Sequence, residues 1–152
     1  MAHVITRIGP TDLAAMRRMN ALFAEAFEDA ETYLGAAPDD SYLRDWLGKP
    51  HVIALAAFDG DALIGGLVAY VLEKFEQARS EVYIYDLAVR ETHRREGVAT
   101  ALIAALKPIA QTAGAQVIFV QADYVDPPAI ALYEKLGARE DVLHFDIPVL
   151  DE

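Results

Sequence analysis

The sequence predicts a mixed α/β fold in a single domain spanning residues 1–152, with a central sheet that begins antiparallel and ends parallel, flanked by about four helices. Two observations carry that expectation. Apolar runs at 51–58 and 63–72 flank Asp59-Gly60-Asp61, and an Asp-Gly pair between strand-like runs marks a hairpin, because both residues tolerate the positive φ of a tight turn. Farther along, 81–89 alternates like a strand, 97–113 changes to helical spacing, and 117–121 is apolar again. Strand, helix and strand in that order close as a right-handed parallel crossover.

In chain order, 3–8 alternates like a short strand until Gly9-Pro10 breaks it. Thr11 stands as the N-cap of a first helix in which Leu13, Met16, Leu22, Phe23 and Phe27 recur at helical spacing. A short second helix begins near Asp40-Ser41, carries Leu43, Trp46 and Leu47 on one side, and stops at Gly48 with Pro50 just beyond. After the hairpin, a polar stretch at 73–80 leads into 81–89. Strict alternation there puts Glu81, Tyr83, Tyr85, Leu87 and Val89 on one face, and Val82, Ile84, Asp86 and Ala88 on the other. An acid among those inner residues needs a reason. Gly114 sits where a C-cap glycine belongs, which ends the crossover helix and leaves 117–121 as a buried strand. Past Asp126-Pro127-Pro128, 129–136 forms a last helix capped at Gly137, and 142–147 closes the sheet.

Composition narrows the function. Against 13 Lys and Arg stand 24 Asp and Glu, a formal charge of −11, which disfavours nucleic acid and suits a cationic partner. The same acidity also serves plain solubility, which composition alone favours, so the charge matters for function only if it converges on a site. There are no cysteines, so disulfides, thiolate nucleophiles and cysteine zinc sites are absent. His3, His51, His93 and His144 show no ligand spacing, and no metal is expected. The first residues lack the pattern of a secretory signal and no run reaches membrane-spanning length, so a soluble, cytoplasmic protein with no membrane contact is expected.

The informative segment runs from Arg94 to Thr100. It places a helix start directly after a strand, where first-turn amides lack partners and the helix dipole favours an anion. Gly97 and the small Ala99 let a phosphate approach the backbone, and His93, Arg94 and Arg95 add positive charge in an otherwise acidic chain. Adjacent arginines are also common on solvated surfaces, so the pair reads either way until its strand–loop–helix context is counted. No Gly-Lys-Ser/Thr follows a glycine, and Gly-x-Gly-x-x-Gly is missing, so nucleotide hydrolysis and hydride transfer lose their main support. A coenzyme A thioester remains.

Val89 and Arg94-x-x-Gly97-x-Ala99, followed by Ala129-x-x-Leu132-Tyr133-x-x-x-Gly137, resemble the Gcn-type N-acetyltransferase (GNAT) superfamily over nearly the whole chain. Glu-Val-Tyr-Ile-Tyr-Asp-Leu-Ala-Val at 81–89, Phe-Val-Gln-Ala-Asp-Tyr at 119–124 and His-Phe-Asp-Ile at 144–147 look like the type I aminoglycoside 3-N-acetyltransferases. The resemblance implies a GNAT-type fold and acetyl transfer from acetyl-CoA to the 3-amino group of a gentamicin-type aminoglycoside, which inactivates the drug. It further implies that backbone groups around Leu87 and Val89 pair with the pantetheine arm, while Arg94, Arg95, Glu96, Gly97, Val98, Ala99 and Thr100 hold the pyrophosphate. Tyr133 matches the tyrosine thought to protonate the departing thiolate, and Asp86 the acid that binds or deprotonates the substrate amine. Such folds often dimerise, so a homodimer is among the expected states. Where the superfamily often has asparagine three residues before Ala129, this chain has Asp126, and the usual cofactor contact is not assigned to it.

Acetyl transfer needs a neutral amine, a route for its proton and an oriented thioester, and no protein nucleophile if the amine attacks directly. Phenol and thiol acidities of roughly 10 and 8.5 make proton transfer from Tyr133 to sulfur feasible. Without the resemblance, Asp86 reads equally as a strand acid bonded to backbone amides and Tyr133 as core packing. Asp123 and Asp146, at expected strand ends, are either substrate contacts or turn formers. Glu28, Asp29 and Glu31 belong to a solvated loop or to the opposite wall of the site. Two other functions stay open: acetylation of another polycation, such as a polyamine or peptide amine, and a non-catalytic acyl-CoA-binding module.

Overall fold

In the computed structural model, which describes residues 3–150, the chain runs β1 (Val4–Arg7), α1 (Leu13–Ala26), α2 (Ala30–Leu34), α3 (Asp40–Leu47), β2 (Val52–Asp59), β3 (Ala62–Glu73), β4 (Ser80–Val89), α4 (Val98–Thr112), β5 (Ala115–Val120) and α5 (Pro127–Leu136). A short 3-10 turn, Glu91–His93, lies between β4 and α4. The strands form one sheet in the order β1-β2-β3-β4-β5, antiparallel except for the parallel β4–β5 pair. The expected mixed α/β architecture is therefore present, with five α-helices among the described residues rather than about four. The chain divides into two units between Gln121 and Ala122; the sheet and α1–α4 belong to the first and α5 to the second. The outermost residues of the expected 1–152 domain, two at each end, lie outside the described residues.

A pair of glycines in β3 lets helices approach both faces of the sheet. A Cβ on Gly66 would stand 3.0 Å from Met19 Cε of α1, and one on Gly65 would stand 3.0 Å from Val98 Cγ1 of α4. The α1 face buries Met16, Met19, Leu22 and Phe23 beside Leu43, Ala54, Ala56 and Val68. Each large side chain buried there contributes about 1.5–3 kcal/mol relative to exposure. On the opposite face, α4 supplies Val98, Leu102 and Leu106, all buried. The first helix is capped by Asp12 rather than Thr11: Asp12 Oδ1 accepts from Ala15 N at 3.1 Å. Asp12→Ala is expected to lower unfolding free energy by about 1 kcal/mol, read as a shift in the urea midpoint with an unchanged slope.

The strict alternation expected for 81–89 fails at one point, and the failure matters. Val68 stands opposite Asp86 while Ala69 stands opposite Ile84, so β4 advances two residues for one of β3. This bulge puts Tyr85 and Asp86 on the same face. Tyr85 packs edge-on to Tyr70 and Tyr83, and Asp86 bonds to Tyr33, all on the α1 side. Leu87 and Val89 lie opposite Leu67 and Gly65, on the α4 side, not with Tyr83 and Tyr85.

Three other expectations are corrected. The acidic segment after α1 contains a helix: Asp29 accepts from Thr32 N at 3.2 Å and caps α2, and Glu31 lies in its first turn, so Glu28 alone of the three acids has no part in it. The strand expected at 117–121 is β5, Ala115–Val120, and it is half-exposed because it is a sheet edge. Residues 142–147 form no strand; Val142, Leu143, Phe145 and Ile147 are all exposed. An alternating segment becomes a strand only when a neighbour pairs with it, and none does among the described residues.

Candidate active site

The bulge on β4 builds the centre of the site. Asp86 is half-buried, and Tyr33 donates from its hydroxyl to Asp86 Oδ2 at 2.9 Å. Burial pushes the Asp86 carboxyl above the ordinary carboxylate range, and the Tyr33 hydrogen bond partly opposes that by favouring the charged form. Tyr33 is pushed above the usual phenol range by burial and then by Asp86, so it keeps its proton and remains a donor. No lysine, arginine or histidine forms an ion pair with Asp86 among the described residues.

Around this carboxylate runs a line of rings. Trp46 packs edge-on against Tyr70, Tyr70 against Tyr85, and Tyr85 against Tyr83, with centroids 6.3, 5.7 and 5.9 Å apart. Tyr83 stacks on Phe119 of β5 at 4.7 Å, and its hydroxyl donates to Gln121 Oε1 at 2.9 Å. Aromatic faces attract cations and cover apolar ring edges. The arrangement suits an amine-bearing ligand.

Beside it, β4 has an open backbone edge. Pairing with β5 reaches only Ile84↔Val120, while β4 continues to Val89, so Tyr85 through Val89 lack a strand partner on that side. The splay begins where the bulge turns the strand. The Val89 carbonyl accepts from Arg94 Nε at 3.3 Å.

The following loop has the features of an anion site. Arg95 and Gly97 hold φ of 66° and 78°. The left-handed conformation at a non-glycine residue costs about 1–2 kcal/mol, and such strain gathers at ligand sites. Gly97 caps α4 without a side-chain bond, and the amides of Arg95, Glu96, Gly97, Val98, Ala99 and Thr100 have no hydrogen-bond acceptor among the described residues. Val98 is buried and anchors the loop; Ala99 is half-buried. The Glu96 carboxylate lies 3.4 Å from His3 Nε2, within ion-pair reach but without hydrogen-bond alignment. His93 does not join the cluster, because its Nε2 lies 3.1 Å from Asp59 Oδ2, and Arg90 pairs with Glu25 at 3.2 Å. The exposed cations left for an anion are Arg94 and Arg95.

In the second unit, Tyr133 is half-buried on α5, and its hydroxyl is pushed up to about 12 by burial and then by the Asp126 charge. Asp126 caps α5, accepting from Ala129 N at 3.3 Å, which gives that departure from the superfamily pattern a structural role. Asp123 is exposed, and its carbonyl accepts from Asp126 N at 3.0 Å. Asp146 is exposed beside His144 Nε2 at 2.9 Å and terminates no strand. No group of three or more His, Asp or Glu converges as a metal site among the described residues. No described helix is long and apolar enough to cross a membrane.

Sequence reasoning singled out Asp86 and the loop but not Tyr33 or the ring line. A signal for Tyr33 existed: Asp29-Ala30-Glu31 has an N-cap residue and a first-turn acid, which together mark a helix start.

Residues 16–138 match the model of a family described as the acetyltransferase (GNAT) family. Among solved structures, an aminoglycoside acetyltransferase from an uncultured soil metagenomic sample is 55% identical, covers 99% of this chain and 100% of its own, and superposes with a TM-score of 0.96. A second aminoglycoside acetyltransferase from an uncultured soil metagenomic sample, solved in complex with sisomicin, is 31% identical over 97% of each chain, with a TM-score of 0.90. An N-alpha-acetyltransferase of Sulfurisphaera tokodaii is 30% identical over 56% of this chain and 58% of its own length. The chain spans about half the length of the curated relatives it matches.

Proposed function

The chain belongs to the acetyltransferase (GNAT) family, and on that premise we propose that it transfers an acetyl group from acetyl-CoA to the 3-amino group of a gentamicin-type aminoglycoside. The observation that carries this reading is Asp86: a half-buried carboxylate, unpaired with any cation among the described residues and bordered by tyrosines. A carboxylate taken out of water without a counter-charge gains from a cationic ligand. An aminoglycoside offers several ammonium groups on sugar rings that aromatic faces can cover. The two metagenomic aminoglycoside acetyltransferases, similar over nearly the whole chain, support the same substrate class.

The residues present fit acetyl-CoA. Acetyl-CoA, when bound, supplies an activated acetyl thioester. Unpartnered amides from Arg95 to Thr100, with Arg94 and Arg95 beside them, would hold its pyrophosphate. The open β4 edge at Leu87 and Val89 would pair with amide groups of the pantetheine arm, displacing Arg94 from the Val89 carbonyl.

Within that frame Asp86 Oδ1 accepts the proton of the attacking amine, as the new C–N bond forms and the C–S bond breaks. Tyr133, which the resemblance assigns to the thiolate, would hydrogen-bond to the departing sulfur. At about 12 its hydroxyl is a weaker acid than a thiol at roughly 8.5. It would therefore act as a hydrogen-bond donor to the departing thiolate, which takes its proton from solvent. Tyr133→Phe is expected to lower kcat about tenfold, with coenzyme A affinity unchanged by calorimetry.

Analysis of the gentamicin product by two-dimensional NMR tests the position. The acetyl group is expected on the 3-amino nitrogen; acetylation at another nitrogen would refute that assignment. The second reading is a polyamine or peptide amine as substrate, and the peptide amine has support in the 30% identity, over 56% of this chain, to an N-alpha-acetyltransferase of Sulfurisphaera tokodaii. Higher specificity constants for spermidine or a peptide than for gentamicin would support it. Coenzyme A binding without turnover of any of the three would mark a non-catalytic binding module.

A further inference from the structure

We infer that Tyr33 is a positioning residue: its hydroxyl, 2.9 Å from Oδ2, occupies one oxygen of Asp86 and leaves Oδ1 for the substrate amine. The inference rests on the reading that Asp86 takes the amine proton. Tyr33 comes from α2, across the site from the bulge that presents Asp86, so two independent elements meet at one carboxylate. Its ring is fixed by Phe23 and Phe27, each 5.8 Å away between centroids, and those two stack at 6.0 Å. The start of α2 is fixed by the Asp29 cap on Thr32 N. A five-residue helix with no buried residue would otherwise be weakly held, so this aromatic contact and the Asp86 bond are its main anchors.

The hydrogen bond has chemical consequences beyond orientation. A phenol that keeps its proton donates steadily, which favours the carboxylate over the acid and keeps Asp86 able to accept a proton. The groups facing the pair are few. Tyr85 and Tyr83 approach from β4, Tyr70 from β3 with His51 stacked on it at 6.3 Å, and Asp29 from the head of α2. From α1 and its C-cap come the apolar rings of Phe23 and Phe27. Among these no cation competes with Tyr33 for Oδ2.

Tyr33→Phe deletes the hydroxyl and keeps the ring. Losing a bond that favours the charged form moves the Asp86 titration to higher pH. Activity that needs the carboxylate rises as pH passes through that titration, so the acid limb of kcat/KM moves to higher pH too. Titration of the substrate amine is common to both enzymes and cancels in their ratio. The wild-type to Tyr33→Phe ratio of kcat/KM is expected to be about tenfold at pH 6 and within about threefold at pH 8.5.

Carboxyl carbon NMR, with the Asp86 signal identified by its loss in Asp86→Asn, reads the titration without turnover. A shift of Asp86 to higher pH in Tyr33→Phe, joined to the pH-dependent kinetic ratio, supports the inference. An unmoved Asp86 signal, or a kinetic loss equal at all pH, overturns it and leaves Tyr33 as structural support. A moved signal together with full activity of Asp86→Asn refutes instead the reading of Asp86 on which the inference rests.

Discussion

Asp86→Asn is expected to lower kcat/KM for an aminoglycoside by roughly a hundred- to a thousandfold, the usual contribution of a positioned general base. The substitution is isosteric. An amide oxygen still accepts from Tyr33, so α2 keeps its anchor and the fold its stability. What disappears is the negative charge that attracts the ammonium group and the atom that accepts its proton. Both losses fall on the amine side, so steady-state kinetics should show a lower kcat and a raised KM for the amine, with coenzyme A affinity unchanged. Loss of coenzyme A affinity as well would mean that Asp86 supports the β4 edge rather than the chemistry.

Gly97→Val is expected to act on the other half of the site, weakening coenzyme A binding roughly ten- to a hundredfold. Gly97 holds φ of 78°, which a β-branched residue adopts only with strain of about 1–3 kcal/mol. At 1.4 kcal/mol per decade that strain covers the stated range. A Cβ there meets no protein atom within 4 Å, so the side chain fits the protein and the cost is borne by the loop's conformation and its opening. Isothermal calorimetry with coenzyme A reads the affinity, and a thermal melt near the wild-type midpoint would show that the effect is local. Unchanged affinity would place the pyrophosphate away from this loop.

The parts of the fold legible in the sequence were those encoded locally. Asp-Gly at 59–60 announced the β2–β3 hairpin, and helical spacing after a strand announced α4 and the parallel crossover. The conformation of the candidate anion loop was legible for the same reason: a glycine at a helix start after a strand is a local pattern, and Gly97 does adopt the left-handed conformation. What was not legible depends on partners distant in sequence. The β4 bulge arises from register against β3, so alternation alone placed Leu87 and Val89 on the wrong face. Tyr33 is linked to a residue 53 positions away. His93 looked like part of a basic cluster until Asp59, on the hairpin, claimed it. The segment 142–147 has a strand's alternation but no described partner, and pattern alone cannot supply one.

The most direct measurement is thiol release from acetyl-CoA by the purified protein with gentamicin, run beside Asp86→Asn. Release well above background, matched by acetylated drug and reduced at least a hundredfold in the variant, is the predicted result. Folded protein that binds coenzyme A yet releases no thiol with gentamicin would contradict the account.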